Sequence, residues 1–175
     1  MYKHKIIKSP NIYKIKQEFY LKNNIRYILC DLDNTLDSFD CKNPSIKTLN
    51  LVKLLKENNI KLIICSNNKK KRVESYANCL NVDFVYRCFK PFKYKINKYL
   101  NKHSINKNEC ILIGDQFNTD VKCAIKLGIK VIFCEELVNK NALISKINKK
   151  LEKLNIKKAY KKDMIIKMEE IYVNK

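Results

Sequence analysis

The stretch that decides the fold is RYILCDLDNT, residues 26–35. An apolar run typical of a buried strand delivers two carboxylates, Asp31 and Asp33, and stops at the hydroxyl of Thr35. Side chains in an extended strand alternate between faces, so the two carboxylates leave the strand on the same side. Carboxylates held this close repel each other unless a cation or a shared proton intervenes. The pair therefore costs stability, which indicates a purpose other than folding.

The rest of the chain alternates between short apolar runs and helical patterns. Segments with apolar residues at three- and four-residue spacings lie between runs rich in β-branched residues. The predicted strands are residues 27–30, 61–65, 83–88, 110–113 and 130–134, and the predicted helices are 46–58, 70–80, 94–103 and 118–127. This order predicts a three-layer, Rossmann-like α/β fold, in which helices cover both faces of a central parallel sheet.

A length of 175 residues is enough for one domain with a real core and short for two. We divide the chain into an N-terminal leader (1–25), a domain (26–158) and a C-terminal tail (159–175). The leader is expected to form a helix or an edge element, and residues 139–158 are expected to be helical. The pattern of the tail does not predict its packing.

Charge, cysteine spacing and hydropathy limit where the protein can reside and which partners it can bind. The net charge of +20 could attract nucleic acid, an anionic membrane surface or a phosphorylated substrate, or it could reflect a compositional bias. No two of the eight cysteines are two or three residues apart, which argues against a zinc knuckle and favours reduced thiols. Neither a membrane-spanning run nor a secretory signal is recognisable, so a cytoplasmic protein is expected, with peripheral membrane attachment left open.

Four short motifs follow four different predicted strands, where ligands of parallel sheets bind. They are DLDNT (31–35), SNN (66–68), Lys90-Pro91 and GDQFNTD (114–120). Taken singly, each has a structural alternative: Ser66, Asp115 and Asp120 could cap helices, and Lys90 could be a surface lysine. Their appearance in this order, each after its own strand, is the stronger signal.

The order of these motifs resembles the haloacid dehalogenase-like (HAD) superfamily of phosphotransferases. The intervening sequence resembles the YqeG family, whose members are capless phosphatases of the IIIA type. That second likeness covers roughly residues 20–150 and is carried by ICSNN (64–68), Arg72-Val73, Val85-Tyr86-Arg87, Lys90-Pro91 and GDQFNTDV (114–121). The resemblance implies a HAD fold without a cap domain.

The resemblance implies a phosphomonoester hydrolase that works through an aspartyl-phosphate intermediate. Asp31 is then the nucleophile, and Asp33 the acid and base that serves the leaving alcohol and the attacking water. Thr35 is expected to hold Asp33 in position. Ser66 and Lys90 are expected to bind the phosphoryl oxygens and stabilise their charge.

The implied cofactor is Mg²⁺, held by Asp31, the backbone carbonyl of Asp33 and Asp115 together with several waters. Asp120 is expected to orient either a metal-bound water or Lys90.

Two further residues are expected to contact the substrate, Asn67 and Arg72, the latter through a second anionic group. For Arg72 and the three lysines before it, a solvated helix face is the alternative.

The spacing of the motifs indicates an open site. The spans Asp33–Ser66 and Ser66–Lys90 each hold one helix and one strand, whereas an independent lid domain needs about 50 residues. An open site suits a large phosphorylated substrate, such as a lipid headgroup, a nucleic-acid end or a protein. Relatives of the YqeG type include mitochondrial phosphatidylglycerophosphate phosphatases, so the resemblance suggests that lipid. A basic protein that binds nucleic acid or the ribosome is the alternative from another class, and it is not favoured; the oligomeric state is not predicted.

Overall fold

The computed structural model describes residues 5–137 and 146–173 of the chain. Its strands are β1 (Ile6–Ser9), β2 (Tyr27–Cys30), β3 (Lys61–Cys65), β4 (Asp83–Val85), β5 (Cys110–Gly114), β6 (Lys130–Cys134) and β7 (Ile165–Lys167). Its α-helices are α1 (Gln17–Lys22), α2 (Ile46–Glu57), α3 (Lys70–Leu80), α4 (Tyr94–Lys102), α5 (Lys122–Leu127), α6 (Lys146–Lys161) and α7 (Met168–Val173).

The described strands form one seven-stranded sheet in the order β4-β3-β2-β5-β6-β1-β7. All neighbouring strands are parallel. Successive side chains of a strand face opposite layers, and in β2 this sends Ile28 to one core and Leu29 to the other. Helices α1, α2, α3 and α7 contribute to the first core, and α4, α5 and α6 to the second. The predicted three-layer α/β fold with a parallel sheet is confirmed.

Two of the predicted elements between residues 27 and 134 differ from the structure by more than one residue. The strand predicted over residues 83–88 ends at Val85, because Arg87 and Phe89 adopt left-handed backbone angles (φ 45° and 54°) that an extended strand does not tolerate. The helix predicted over 118–127 begins with a π-helical turn, Phe117–Val121, before α5 starts.

The segments on either side of the predicted domain both add a strand to the sheet. The expected leader helix is present as α1, but β1 is not an edge element, because it pairs with β6 on one side and β7 on the other. Short flanking strands were missed because four or three residues give too little alternation to read. Of the helix expected over 139–158, the part up to 145 lies outside the described residues, and the described helix is α6.

The strand order brings the four motifs to one edge of the sheet. Because β2 lies between β3 and β5, and β4 lies beside β3, the segments that follow these strands are neighbours at the carboxyl edge. Residues 31–137 are all described, and no cap domain is inserted among them. All eight cysteines are free thiols, and six of them are buried. Among the described residues, no helix combines the length and apolar character needed to cross a membrane.

Candidate active site

Asp31 lies at the carboxyl end of β2, with its backbone held in the sheet and its side chain largely buried. Its backbone N–H donates to the carbonyl of Ile113 at 2.9 Å, which fixes the residue beside the end of β5. Its Oδ1 atom lies 2.6 Å from Nζ of Lys90. The predicted nucleophile is therefore held rigidly and is paired with the predicted cation.

Lys90 is the electrostatic centre of the site. Its buried ammonium lies 2.6 Å from Oδ1 of Asp31, 2.6 Å from Oδ1 of Asp120 and 2.7 Å from the carbonyl oxygen of Cys65. Burial alone would lower the pKa of Lys90, but the carboxylates of Asp120 and Asp31 raise it well above its usual value. The lysine is therefore a permanent cation at neutral pH, and the surface-lysine alternative is wrong.

Asn67 fixes the backbone of Lys90. Its Oδ1 accepts from the Lys90 backbone N–H at 2.7 Å, and its Nδ2 donates to the Lys90 carbonyl at 3.1 Å. This two-way clamp ties the segment after β3 to the loop after β4. The structure thus gives Asn67 a positioning contact, whereas the sequence predicts a contact to substrate.

Asp120 contacts Lys90, and orienting Lys90 is one of the two roles predicted for it. Besides the ion pair of Oδ1, its Oδ2 accepts from the backbone N–H of Gln116 at 3.1 Å. The π-helical turn brings this side chain back against β5, where Gly114 leaves space for it. A Cβ atom on Gly114 would overlap with the Asp120 carboxyl group. With both oxygens of Asp120 engaged, its described contacts favour the orientation of Lys90 over metal binding.

Asp33 is held by two side chains from the segment that follows β3, Asn68 and Arg72. Its Oδ1 lies 2.8 Å from Nη2 of Arg72, and its Oδ2 accepts a hydrogen bond from the side-chain amide of Asn68. The Arg72 guanidinium also stacks over the Tyr76 ring, 5.4 Å from its centroid. Arg72 was expected to contact substrate and is here the partner of the predicted acid and base. Asn68 was missed, although the SNN motif places an amide directly after the strand.

Thr35 contacts a different carboxylate from the one predicted. Its hydroxyl donates to Oδ1 of Asp115 at 2.9 Å, across β2 and β5, so the expectation that it holds Asp33 is wrong. The strand order explains the difference, because Thr35 follows β2, Asp115 follows β5, and these two strands are neighbours in the sheet. The second oxygen of Asp115, Oδ2, is buried and accepts no hydrogen bond from the described residues.

The site holds more negative than positive charge. Burial, followed by the charge of Asp120, raises the pKa of Asp31 to about 6 against the opposing effect of Lys90. Burial and repulsion from Asp31 and Asp120 raise the pKa of Asp115 to about 8. Asp31 and Asp120 thus share one buried cation, Lys90, and Asp115 lies close enough to both carboxylates to be repelled by them. An additional cation between Asp31 and Asp115 would relieve this repulsion.

The donors at this edge fit a magnesium ion. In the described part of the chain, no three His, Cys, Asp or Glu side chains converge as a complete metal cage. Mg²⁺ does not need one, because it is usually bound by one or two carboxylates and keeps several waters. The unpartnered oxygen of Asp115 and the adjacent Asp31 are the two carboxylates available for such an ion.

Ser66 is buried at the end of β3, and its backbone is held on both sides. Its N–H donates to the carbonyl of Val85 at 3.0 Å, and its carbonyl accepts from the N–H of Cys88 at 3.0 Å. Its Oγ accepts from the Asn68 backbone N–H at 3.1 Å, a local turn contact and not a helix cap, because α3 begins at Lys70 with Lys69 at its N-cap. That bond uses an oxygen lone pair, so the hydroxyl hydrogen can still be donated to a ligand.

A second carboxylate network, centred on Asp37, supports the loop that carries Asp33. Asp37 Oδ2 accepts from the Ser45 backbone N–H at 2.9 Å and the Thr48 hydroxyl at 2.8 Å, and also from the Tyr76 hydroxyl. Its carbonyl accepts from the N–H of Asn34 at 2.7 Å, at a left-handed residue (φ 66°) where asparagine is well tolerated. No local sequence pattern predicts this network, because the residues that contact the Asp37 carboxylate lie 8 to 39 positions from it along the chain.

A large cleft lies at the other edge of the sheet. It has a volume of about 770 Å³ and is lined by the first residues of three strands, Tyr27, Lys61 and Asp83. These residues mark the amino edge of the sheet, opposite the motifs. The motif residues do not line this cleft.

Comparison with known proteins agrees with the motif geometry. The family model of haloacid dehalogenase-like hydrolases matches residues 14–134. A Bacillus subtilis (strain 168) protein described as "Probable phosphatase YqeG" is 31% identical over 160 residues, which cover 91% of this chain and 92% of that protein.

Solved structures share the fold at low identity. An uncharacterized protein from Listeria monocytogenes serotype 4b superposes with a TM-score of 0.53 at 16% identity, over 69% of this chain and 88% of the other. A 3-deoxy-D-manno-octulosonate 8-phosphate phosphatase from Moraxella catarrhalis, in complex with magnesium, phosphate and KDO, superposes with a TM-score of 0.51 at 18% identity, over 70% and 78% of the two chains.

Proposed function

This chain belongs to the haloacid dehalogenase-like hydrolases and is a phosphatase, and from that membership we propose that it hydrolyses phosphomonoesters through an aspartyl-phosphate on Asp31, with Mg²⁺ as cofactor. The observation that carries the proposal is the position of Asp31. Its carboxylate is buried at the strand end, 2.6 Å from the ammonium of Lys90, and beside the unpartnered oxygen of Asp115. No fold requires this concentration of buried charge, whereas phosphoryl transfer does.

In the first half of the reaction, a carboxylate oxygen of Asp31 attacks phosphorus. A new P–O bond forms to Asp31, and the P–O bond to the substrate alcohol breaks. Asp33 gives its proton to the departing alcohol oxygen. In the second half, Asp33 takes a proton from water, which displaces phosphate and restores the Asp31 carboxylate.

Lys90 and Ser66 bind the group that is transferred. The ammonium of Lys90 stabilises negative charge on the phosphoryl oxygens, and its contacts to Asp120 and the Cys65 carbonyl keep it in place. The Ser66 hydroxyl donates to a second phosphoryl oxygen. Arg72 holds Asp33 as a carboxylate in the ion pair, so Asp33 must leave this pair to carry the proton for the alcohol.

The residues that would hold Mg²⁺ are Asp31, Asp115 and the backbone carbonyl of Asp33. When bound, the ion supplies the positive charge that lets an anionic nucleophile approach an anionic phosphate. Thr35 keeps Asp115 oriented for this task through its 2.9 Å hydrogen bond.

For the substrate, we propose a large phosphomonoester, with phosphatidylglycerophosphate as the specific candidate. The absence of a cap domain in residues 31–137 supports a large substrate, since nothing there encloses a small one. The lipid is suggested by the resemblance to the YqeG family. Phosphorylated nucleic-acid ends and phosphoproteins are the competing substrates.

The chemistry is tested with Asp31→Asn and an artificial aryl phosphate in the presence of Mg²⁺. We expect turnover to fall by about 10⁴-fold or more, because the nucleophile is removed. Hydroxylamine should trap an acyl-phosphate on the wild-type chain during turnover and none on the variant. Asp40→Asn, an exposed carboxylate in the same loop, is the matched control and should keep wild-type turnover. Normal activity of Asp31→Asn would refute the mechanism.

Metal binding is tested by thermal unfolding without substrate. Mg²⁺ should raise the melting temperature of the wild-type chain, because a ligand that binds only the folded state stabilises it. Asp115→Asn should lose this response, and Asp40→Asn should keep it. An equal response in Asp115→Asn would place the ion elsewhere.

The substrate is tested by offering three classes side by side with Mg²⁺: phosphatidylglycerophosphate in mixed micelles, a 5′-phosphorylated oligonucleotide and a phosphopeptide. We expect the lipid to have the highest kcat/KM. Preference for either of the other two would retain the chemistry and replace the substrate. Salt-sensitive RNA binding without activity on any of the three would favour the basic binding protein.

A further inference from the structure

The loop that carries Lys90 also carries an exposed aromatic surface. We define the Lys90 loop as residues 86–95, which connect β4 to the first turn of α4. Phe89 is 57% exposed, Phe92 66% and Tyr94 72%. Large aromatic rings are usually buried, and three in six residues beside an active site indicate an interaction surface.

The same loop is strongly basic. Its sequence, YRCFKPFKYK, contains no acidic residue and four cations, of which only Lys90 is neutralised by carboxylates of the site. Arg87 and Lys93 are exposed to solvent. An anionic lipid bilayer is apolar inside and negatively charged at its boundary. A protein surface of aromatic rings and cations is complementary to it.

The arrangement of the cations distinguishes a lipid surface from single-stranded nucleic acid. The ammonium of Lys95 lies 5.5 Å from the centroid of the Phe89 ring, and that of Lys126 lies 5.3 Å from the centroid of Phe92. Phe89 and Phe92 thus each have a cation over one face, where a nucleic-acid base would stack. At a lipid surface the pairing is favourable, because the ring enters the acyl boundary while the ammonium meets the phosphates.

We propose that the Lys90 loop is a docking surface for anionic phospholipid bilayers, formed by Phe89, Phe92 and Tyr94 with Arg87, Lys93, Lys95 and Lys126. Because Lys90 stands between two of the aromatic residues, docking places Asp31 at the headgroup level. The purpose of this docking rests on the proposed function, because docking would present the phosphatase site to a phosphate held at a membrane. The binding itself is independent of catalysis.

The test uses the full chain and vesicles made of phosphatidylglycerol and phosphatidylcholine, with pure phosphatidylcholine vesicles for comparison. We expect co-sedimentation with the anionic vesicles only, and weaker binding at high salt. The double variant Phe92→Ser, Tyr94→Ser should bind about tenfold more weakly or worse, because two apolar anchors are lost. Neither residue belongs to the catalytic machinery, so turnover of the soluble aryl phosphate should be unchanged.

A matched control removes exposed apolar side chains from the opposite edge. Leu21 is 51% exposed and Leu54 is 44% exposed, and both lie near the carboxyl ends of helices that run back towards the amino edge of the sheet. Leu21→Ala with Leu54→Ala should bind vesicles as the wild-type chain does. Equal loss in this control would show that the effect is not specific to the Lys90 loop and would overturn the proposal.

Other outcomes separate the docking surface from the enzyme mechanism. Equal binding of Phe92→Ser, Tyr94→Ser and wild type, or no vesicle binding at all, would overturn the docking surface while aryl phosphate turnover still supports the phosphatase site. Specific vesicle binding by a chain without any turnover would support the docking surface and refute the proposed mechanism. RNA binding that depends on Phe92 and Tyr94, without vesicle binding, would reassign the surface to nucleic acid.

Discussion

Lys90 shows how one residue can hold a site together. Its ammonium bridges Asp31 and Asp120 and donates to the Cys65 carbonyl. The end of β3 and the segments that follow β2 and β5 therefore meet at a single atom. A buried cation with two carboxylates is favourable only while all partners are present. In the proposed mechanism the same residue serves catalysis as well as the folded state, and the two roles can be separated by measuring both.

Lys90→Met is predicted to lower kcat for the aryl phosphate by about 10²–10³-fold, because the cation that stabilises the transferring phosphoryl group is lost. It should also lower the free energy of unfolding by about 3–5 kcal/mol, because two buried carboxylates lose their counter-ion. Urea unfolding and steady-state kinetics check the two effects. Lys93→Met, an exposed lysine of the same loop, should change neither. Wild-type turnover in Lys90→Met would contradict the assigned role.

At the scale of elements, strand ends and helix starts are tied together by polar contacts at the carboxyl edge. The Asp37 network joins the loop after β2 to α2 through Ser45 and Thr48 and to α3 through Tyr76. On the other side, the π-helical turn after β5 places Asp120 in the space above Gly114. These connections fix where the predicted catalytic residues lie relative to one another.

The two glycines of the chain give a prediction for the second connection. Gly114→Ala should lower the free energy of unfolding by about 1–3 kcal/mol and reduce turnover, because its Cβ would displace the Asp120 side chain from Lys90. Gly128→Ala meets no atom within 4 Å but has a left-handed backbone (φ 73°), so it should cost about 1–2 kcal/mol. Its turnover should stay normal. Similar kinetics in the two variants would show that Gly114 has no special part in the site.

The Asp37 network predicts a pH dependence of stability. Burial would raise the pKa of Asp37, but the Ser45 N–H and the Tyr76 hydroxyl, with further hydrogen bonds, hold it below its ordinary value. A carboxyl group whose pKa is lower in the folded state stabilises the fold above its unfolded pKa of about 4. That contribution is lost as the pH falls through the lower, folded pKa.

Asp37→Asn should therefore be less stable than the wild-type chain by about 1–3 kcal/mol at neutral pH, because hydrogen bonds to a charged group are lost. The difference should shrink as the pH falls below about 4. Urea unfolding over a series of pH values measures it. Asp40→Asn, whose side chain is exposed, should follow the wild-type curve. A difference that grows towards acid pH would contradict the assignment.

At the scale of the whole molecule, the sheet extends beyond the segment that carries the motifs. Strand β1 lies between β6 and β7, and α7 places Met168 and Ile171 in the same core as α2 and α3. The division into leader, domain and tail stays a prediction about domain bounds. Strands from both flanking segments nevertheless complete the sheet.

This arrangement predicts that the C-terminal segment contributes to stability. Met168→Ala with Ile171→Ala should lower the free energy of unfolding, with about 2–5 kcal/mol for each buried side chain removed. Glu169→Ala with Glu170→Ala, exposed positions of the same helix, should stay within about 1 kcal/mol of the wild-type chain. Denaturant unfolding compares the two. Equal stability of both double variants would show that the tail is dispensable.

The sequence determined the elements that carry a strong local signal. Apolar runs and helical spacings located β2, β3 and β6 to the residue, and the four motifs placed Asp31, Lys90 and Asp115 together at the carboxyl edge of the sheet, while their catalytic roles stay predictions. These predictions succeeded because strand and helix periodicity, and the carboxyl edge of a parallel sheet, follow from local chemistry. Ser66 and Asp120 were located for the same reason.

Only the tertiary structure decided which side chains meet. It paired Thr35 with Asp115 instead of Asp33, Arg72 with Asp33, and Asn67 with the Lys90 backbone. It also placed β1 inside the sheet. These contacts join residues from 23 to 80 positions apart, and they depend on side-chain directions and strand neighbours that no local pattern specifies. Residue types set the chemistry of the site, and packing assigns each residue its partner.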